Sequence, residues 1–154
     1  MNIEQERTTR QVSIDLFDAL QNQDSERLTR LYLPDASFVD PVLGELPRGS
    51  VGTMWRSFLT HVDDLTVDVI ENDVSIHVAD VHWTADYRVH ATGRRMRLDV
   101  LSRLVCLGPR ISRHEDRYDS WAWARMAHGL PSVFLGWNPL WLRRQRHPAR
   151  GDIL

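Results

Sequence analysis

The sequence predicts an α+β fold, helices first and an antiparallel sheet after, on three observations. Up to Val62 the apolar residues recur every three or four positions. From Leu65 onward they recur at every second position. Turn signals, Thr92-Gly93 and Gly108-Pro109, punctuate only the alternating part. Helices followed by a meander of strands form two layers around one core. If the sheet curls over the helices it becomes a cone, and the mouth of the cone is a pocket.

The elements follow in order. Val12, Leu16 and Leu20, with Phe17 beside them, make the apolar stripe of a helix over residues 8–22. Asp24 or Ser25 caps a second, short helix carrying Leu28, Leu31 and Tyr32, which Pro34 ends. Ala36 to Asp40 is extended, since Pro41 biases Asp40 away from helix. Leu43 to Gly49 is loop. Ser50 then caps a third helix with Val51, Trp55, Phe58, Leu59 and Val62 on one face. Leu65, Val67 and Val69 begin the strands. Val81 to Val89 and Met96 to Leu104 flank the first turn, and a last strand runs from about Arg110 to Ser120. A helical turn or two over residues 121–128 closes at Gly129.

Composition excludes several function classes. The chain has 154 residues, 42% of them AVILMFWYC and 26% charged, which is an ordinary balance for a soluble domain. Every basic residue is Arg. Without lysine there is no Schiff-base chemistry and no phosphate-loop amine. A single cysteine, Cys106, excludes intramolecular disulfides and sits in an apolar run as an inert core residue. A net charge of −2 gives no general affinity for nucleic acid. The N-terminus has no apolar segment of the signal-peptide kind, and no run approaches the ~20 apolar residues of a membrane span. The expected location is the cytoplasm.

Strand alternation sorts the polar residues by face. Met96, Leu98, Val100, Ser102 and Leu104 face the helices, leaving Arg95, Arg97, Asp99 and Arg103 outside, with Asp99 as a surface ion-pair residue. The strand before has two readings. Either Trp83 and Tyr87 are core and His82, Thr84, Asp86 and Arg88 are solvated, or the polar row faces a cavity and the apolar row a partner chain. On the last strand Ser112, His114, Asp116 and Tyr118 share a face, opposite Ile111, Arg113, Glu115 and Arg117.

The string Asp35-Ala36-Ser37-Phe38-Val39-Asp40-Pro41-Val42 after two helices resembles the nuclear transport factor 2-like superfamily. So does His114-Glu115-Asp116-Arg117-Tyr118-Asp119 followed by aromatics. The resemblance spans about residues 8–128 and implies the cone-shaped α+β barrel. Leu16 to Pro41 is similar to the start of ketosteroid isomerases. Their proton-shuttling aspartate falls on Asp40, their oxyanion tyrosine falls on Leu16, and the aspartic acid that assists it falls near Ser102. A second similarity is to limonene epoxide hydrolase and the SnoaL-like polyketide cyclases. The acidic residue of their last strand falls on Asp116, and the other aspartate of the epoxide hydrolase on Asp86. Its bridging arginine falls on Thr84, its water-binding tyrosine and asparagine on Phe38 and Asp40. This second match places Asp86 inside the pocket.

The expected site is therefore an apolar pocket holding Asp40, Asp86 and Asp116. Burial raises a carboxyl pKa because the charged form loses its water, and neighbouring carboxyls push one another further. One acid then serves as base while another stays protonated, which suits proton abstraction next to a carbonyl or addition of water to a strained ether. Asp40 is expected as base and Asp116 as its partner or acid, with His114 or Tyr118 orienting Asp116. Phe38, Trp55, Leu98 and Val100 supply walls, and His82 joins the substrate contacts. The competing structural roles are a turn cap for Asp40, an ion pair with Arg113 or Arg125 for Asp116, and a hairpin ion pair with Arg88 or Arg97 for Asp86. A metal site from His114 and Asp116 with His82 or His128 lacks a placed second histidine, so no metal and no cofactor are expected.

The expected domain covers residues 1–130. Residues 131–154 form a tail in which Trp137, Leu140 and Trp141 precede Arg143, Arg144 and Arg146. That tail closes the pocket or packs on a second subunit, with contact to a membrane surface as the lesser alternative. The expected partners are a small apolar ligand (steroid-, terpenoid- or polyketide-like) and a second copy of the chain, bound through the outer face of the sheet. The functional expectation is an isomerase or cyclase, with epoxide hydrolysis behind. The alternative is a non-catalytic ligand-binding or dimerisation module of the same fold.

Overall fold

The computed structural model describes residues 2–126, so the 131–154 tail lies outside the described residues. Helix α1 (Ile3–Gln21) starts ahead of its apolar stripe and buries Val12, Leu16, Phe17, Ala19 and Leu20. Helix α2 (Ser25–Arg30) is capped by Asp24, whose side chain accepts from the Arg27 amide at 3.0 Å. The chain then turns directly into strand β1 (Tyr32–Asp40), so Pro34 lies in a strand and does not end the helix. The ladder tolerates it because the register shifts between Tyr32 and Ser37, leaving the stretch around Pro34 unpaired with the neighbouring strand. A two-residue strand, β2 (Gly44–Glu45), folds back on the end of β1. Ser50 precedes helix α3 (Val51–His61), but its hydroxyl donates to the Pro47 carbonyl and does not cap the helix.

Strands β3 (Val62–Val74), β4 (Val78–Val89), β5 (Arg95–Leu107) and β6 (Arg110–Arg117) form the expected antiparallel meander, followed by helix α4 (Ser120–Met126). The whole sheet is mixed, with order β2-β1-β6-β5-β4-β3. The departure from an all-antiparallel sheet is β1, which pairs with β6 in parallel. A parallel neighbour needs a long crossover, and here everything from β2 to β5 supplies it.

The face of β4 that alternation left open is settled. Ala79, Val81, Trp83, Ala85, Tyr87 and Val89 are all buried against the helices. On β5 the buried row is Met96, Val100, Ser102, Leu104 and Cys106. The Cys106 thiol is pushed up to about 11 by burial, which leaves it unreactive. Two strands break simple alternation. Edge strand β3 leaves Val69 at 46% exposure, next to a register shift between Val69 and Glu71. In β6 a shift beside Val105 and Cys106 puts Ile111 on the same inner side as His114 and Asp116. Among the described residues no helix is long and apolar enough to cross a membrane.

Helices α2 and α3 touch at Gly52. A Cβ there would lie 2.7 Å from Thr29 Cγ2 and 2.8 Å from Thr29 Oγ1. Thr29 is stiff at χ1 and its hydroxyl already donates to the Ser25 carbonyl. Gly52→Ala should therefore lower stability by roughly 1–3 kcal/mol, despite a helix-propensity gain of about 1 kcal/mol. Urea unfolding checks this, and the sign should reverse in a Thr29→Ala background.

Candidate active site

The parallel pair builds the site. Phe38 is opposite His114 and Val39 opposite Glu115, so one further step along the ladder aligns Asp40 with Asp116. In a parallel pair both C-terminal ends lie at the same end of the sheet. Beside that end is a cavity of about 80 Å³. Its walls include Phe38, Trp55, Phe58, Trp83, Leu98 and Val100, and its polar lining includes Asp40, Asp116, Tyr87 and Tyr118. Among the described residues no Arg or His lines it.

Asp40 ends β1 and turns its carboxyl inward. Oδ1 accepts from the Val42 and Leu43 amides, both at 2.8 Å, so the turn-capping role is present together with the site role. The Tyr118 hydroxyl donates to the same carboxyl, 3.0 Å from each oxygen. Burial pushes the Asp40 pKa up to about 6, and Asp116 adds to the rise. The two amides and Tyr118 pull the other way, and burial outweighs them. The Tyr118 hydroxyl is itself pushed far up, first by burial and then by Asp40, so it stays a donor.

Asp116 sits in a buried polar network. Its Oδ1 accepts from the Ser102 hydroxyl and lies 2.7 Å from His114 Nε2. Trp83 Nε1 donates to Ser102 Oγ at 2.8 Å. On the other side, His114 Nδ1 lies 2.7 Å from Tyr32 Oη, which accepts from Trp55 Nε1 at 3.1 Å. Phe38 packs on the imidazole with ring centres 4.2 Å apart. Each side chain of this network makes at least one hydrogen bond within it.

Of the expected site residues, Asp40, Asp116, Phe38, Trp55, Leu98, Val100 and Tyr118 line the one cavity. His114 does not; it lies behind the wall, 1% exposed, against Asp116. Asp86 and His82 correct the expectation outright. Both point away from the core on β4, because the apolar row is the inner one. Asp86 Oδ1 meets Arg95 Nε at 2.8 Å, and its Oδ2 is 3.9 Å from Arg97 Nε. His82 Nε2 lies 2.5 Å from Asp99, which therefore pairs with a histidine and not with its flanking arginines. Asp116 does not pair with Arg113, which reaches Glu115 and Ser37 instead, and the Arg125 side chain lies outside the described residues. Both His114 nitrogens are engaged, so the imidazole has no lone pair for a metal, and no cluster of three ligating residues occurs among the described residues. His128 lies outside the described residues. Tyr32, Trp83, Tyr87 and Trp123 were not read as site residues. Ser102 carried the available signal, as a lone polar residue in a buried apolar row.

Comparisons with known proteins agree with this architecture. A model of the SnoaL-like domain family matches residues 14–114. None of the curated proteins matches the sequence. Among solved structures, TsrD from Streptomyces laurentii superposes with a TM-score of 0.67 at 20% identity, covering 80% of this chain and 97% of that one. An LEH-like epoxide hydrolase of M. tuberculosis gives 0.69 at 15% identity, covering 85% and 98%. A SnoaL-like protein of unknown function from Burkholderia thailandensis E264 gives 0.58 at 21% identity, covering 73% and 95%. At these identities the structures speak for the fold alone. The chain belongs to the SnoaL-like domain family, within the nuclear transport factor 2-like superfamily.

Proposed function

We propose that this domain is an acid–base enzyme of the isomerase or cyclase kind, needing no cofactor, that moves a proton on a small, largely apolar substrate. The observation that carries the reading is Asp40, a carboxyl enclosed by apolar walls and pushed up to about 6. At neutral pH it is mostly ionised yet a far stronger base than an ordinary carboxylate. Its Oδ1 is held by two amides while Oδ2 has only the shared Tyr118 hydroxyl, so Oδ2 is the oxygen better placed to take the proton. Asp116, next along the ladder, keeps that proton affinity high. A volume of about 80 Å³ suits a ring-sized group, so a larger steroid, terpenoid or polyketide would enter with one ring.

A non-catalytic ligand-binding module is the second reading. It is favoured by Leu16, buried where the resemblance puts an oxyanion tyrosine, and by the inward row Trp83, Ala85 and Tyr87, which carries no charge. Asp86, the second acid of the hydrolase comparison, is outside, so epoxide hydrolysis has the least support.

Carboxyl NMR should give Asp40 a midpoint near 6; a midpoint near 4 sinks the reading. Exchange of the α-protons of a small cyclic ketone should rise with pH through about 6 and then level off. Asp40→Asn should reduce it by about 10²–10⁴-fold. Ligand binding with no exchange selects the non-catalytic module.

Stability should move oppositely. Folded Asp40 holds its proton more tightly than the unfolded chain does, so its stabilising contribution is complete below pH 4 and is lost as pH rises through about 6. Asp40→Asn should thus stabilise the fold at pH 7–8 by roughly 1–2 kcal/mol, and the gain should vanish below pH 4 in thermal melts. Tyr118→Phe removes a donor that lowers the Asp40 pKa, so the NMR midpoint and the rate profile should both shift to higher pH.

A further inference from the structure

The network around Asp116 has a direction, and the two indoles set it. An indole N–H can only donate. Trp83 Nε1 donates to Ser102 Oγ, so the Ser102 proton is free to go to Asp116 Oδ1, where the geometry puts it. Trp55 Nε1 donates to Tyr32 Oη, so the Tyr32 proton goes to His114 Nδ1. The opposite arrangement would strand the Tyr32 hydroxyl proton in a buried site without an acceptor. With Nδ1 accepting, the remaining imidazole proton is on Nε2, and it points at Asp116 Oδ1, 2.7 Å away. Two arms thus converge as donors on a single oxygen. Oδ2 is left to the cavity that Asp116 lines, as a hydrogen-bond acceptor.

From this polarity we infer that the ligand of the cavity carries a hydrogen-bond donor, an alcohol, enol or ammonium group, that docks on Asp116 Oδ2, and that Ser102, His114 and Tyr32 are positioning residues for that oxygen. The inference rests on the proposed function only in that both use one cavity. Among the described residues no Arg or His lines the cavity, and no hydrogen bond described there reaches Oδ2, so a donor on the ligand completes it. A bare hydrocarbon or an acceptor-only ketone leaves this oxygen stripped of water and unpaired. A hydroxylated ring satisfies it.

The test uses cyclohexanol and cyclohexanone, equal in size and differing in the donor, with binding followed by calorimetry on the full chain. The alcohol should bind at least about tenfold more tightly, as expected for a hydrogen bond to a charged group. Tyr87, which also lines the cavity, can donate to a ketone, so Tyr87→Phe should widen the preference. Asp116→Asn gives the sharper result. The two donors hold the amide oxygen at the Oδ1 place, which turns the NH₂ toward the cavity. An acceptor becomes a donor there, and the ketone should gain about tenfold relative to the alcohol. Cyclohexylammonium, as a third probe, tells a hydroxyl ligand from an amine by which of the two binds better. Independently of any variant, ¹⁵N NMR should find the His114 proton on Nε2.

Equal affinity of alcohol and ketone in the unaltered protein, or an unprotonated Nε2, overturns the inference and leaves the Asp40 reading standing. An Asp40 midpoint near 4 does the reverse.

Discussion

The site depends on one constraint, the enclosure of the Asp40 and Asp116 carboxyls by apolar walls at the end of a parallel strand pair. A carboxylate without water is costly unless hydrogen bonds replace the lost solvent. The two acids meet this cost differently. Asp40 takes backbone amides from the turn that follows it, and Tyr118 from beyond β6. Asp116 takes a serine and a histidine, each backed by an indole. The first set is local and shallow, and burial outweighs it, so Asp40 is the acid whose proton affinity rises. The second reaches through four further elements, α3, β1, β4 and β5, and ties Asp116 into the core.

Much of the fold was legible because it follows from periodicity. The apolar stripe of α1, the Asp24 cap and the inward row of β5 each depend on nearest neighbours in sequence. What was not legible depends on distant pairing. Pro34 reads as a helix stop, and only the shifted register beside β6 makes it tolerable in a strand. Ile111 belongs by alternation to the face opposite His114, and a bulge brings it inside. The parallel placement of β1 has no local signature at all.

The same division governs the site. Asp40 and Asp116 were legible because the family resemblance carried by the strings around them puts an acid on each. Asp86 was misplaced for a definite reason. Alternation allowed either face, and the resemblance that decided between them put Asp86 inside, whereas the apolar row from Ala79 to Val89 is the inner one. The inner row it displaced, Trp83, Ala85 and Tyr87, includes two aromatic residues of the cavity wall. Tyr32 was missed because it was assigned to α2; as the first residue of β1 it faces inward and meets His114 across the fold.

These placements bear on how the two acids divide their work. Asp40 and Asp116 line one cavity at the ends of the paired strands β1 and β6, and Asp116 raises the Asp40 pKa. The direction of the indole-anchored arms makes Asp116 Oδ1 an acceptor. In the proposed reaction Asp40 is the group that gains and loses the proton, and in the proposed ligand contact Asp116 is the acceptor that orients the ligand.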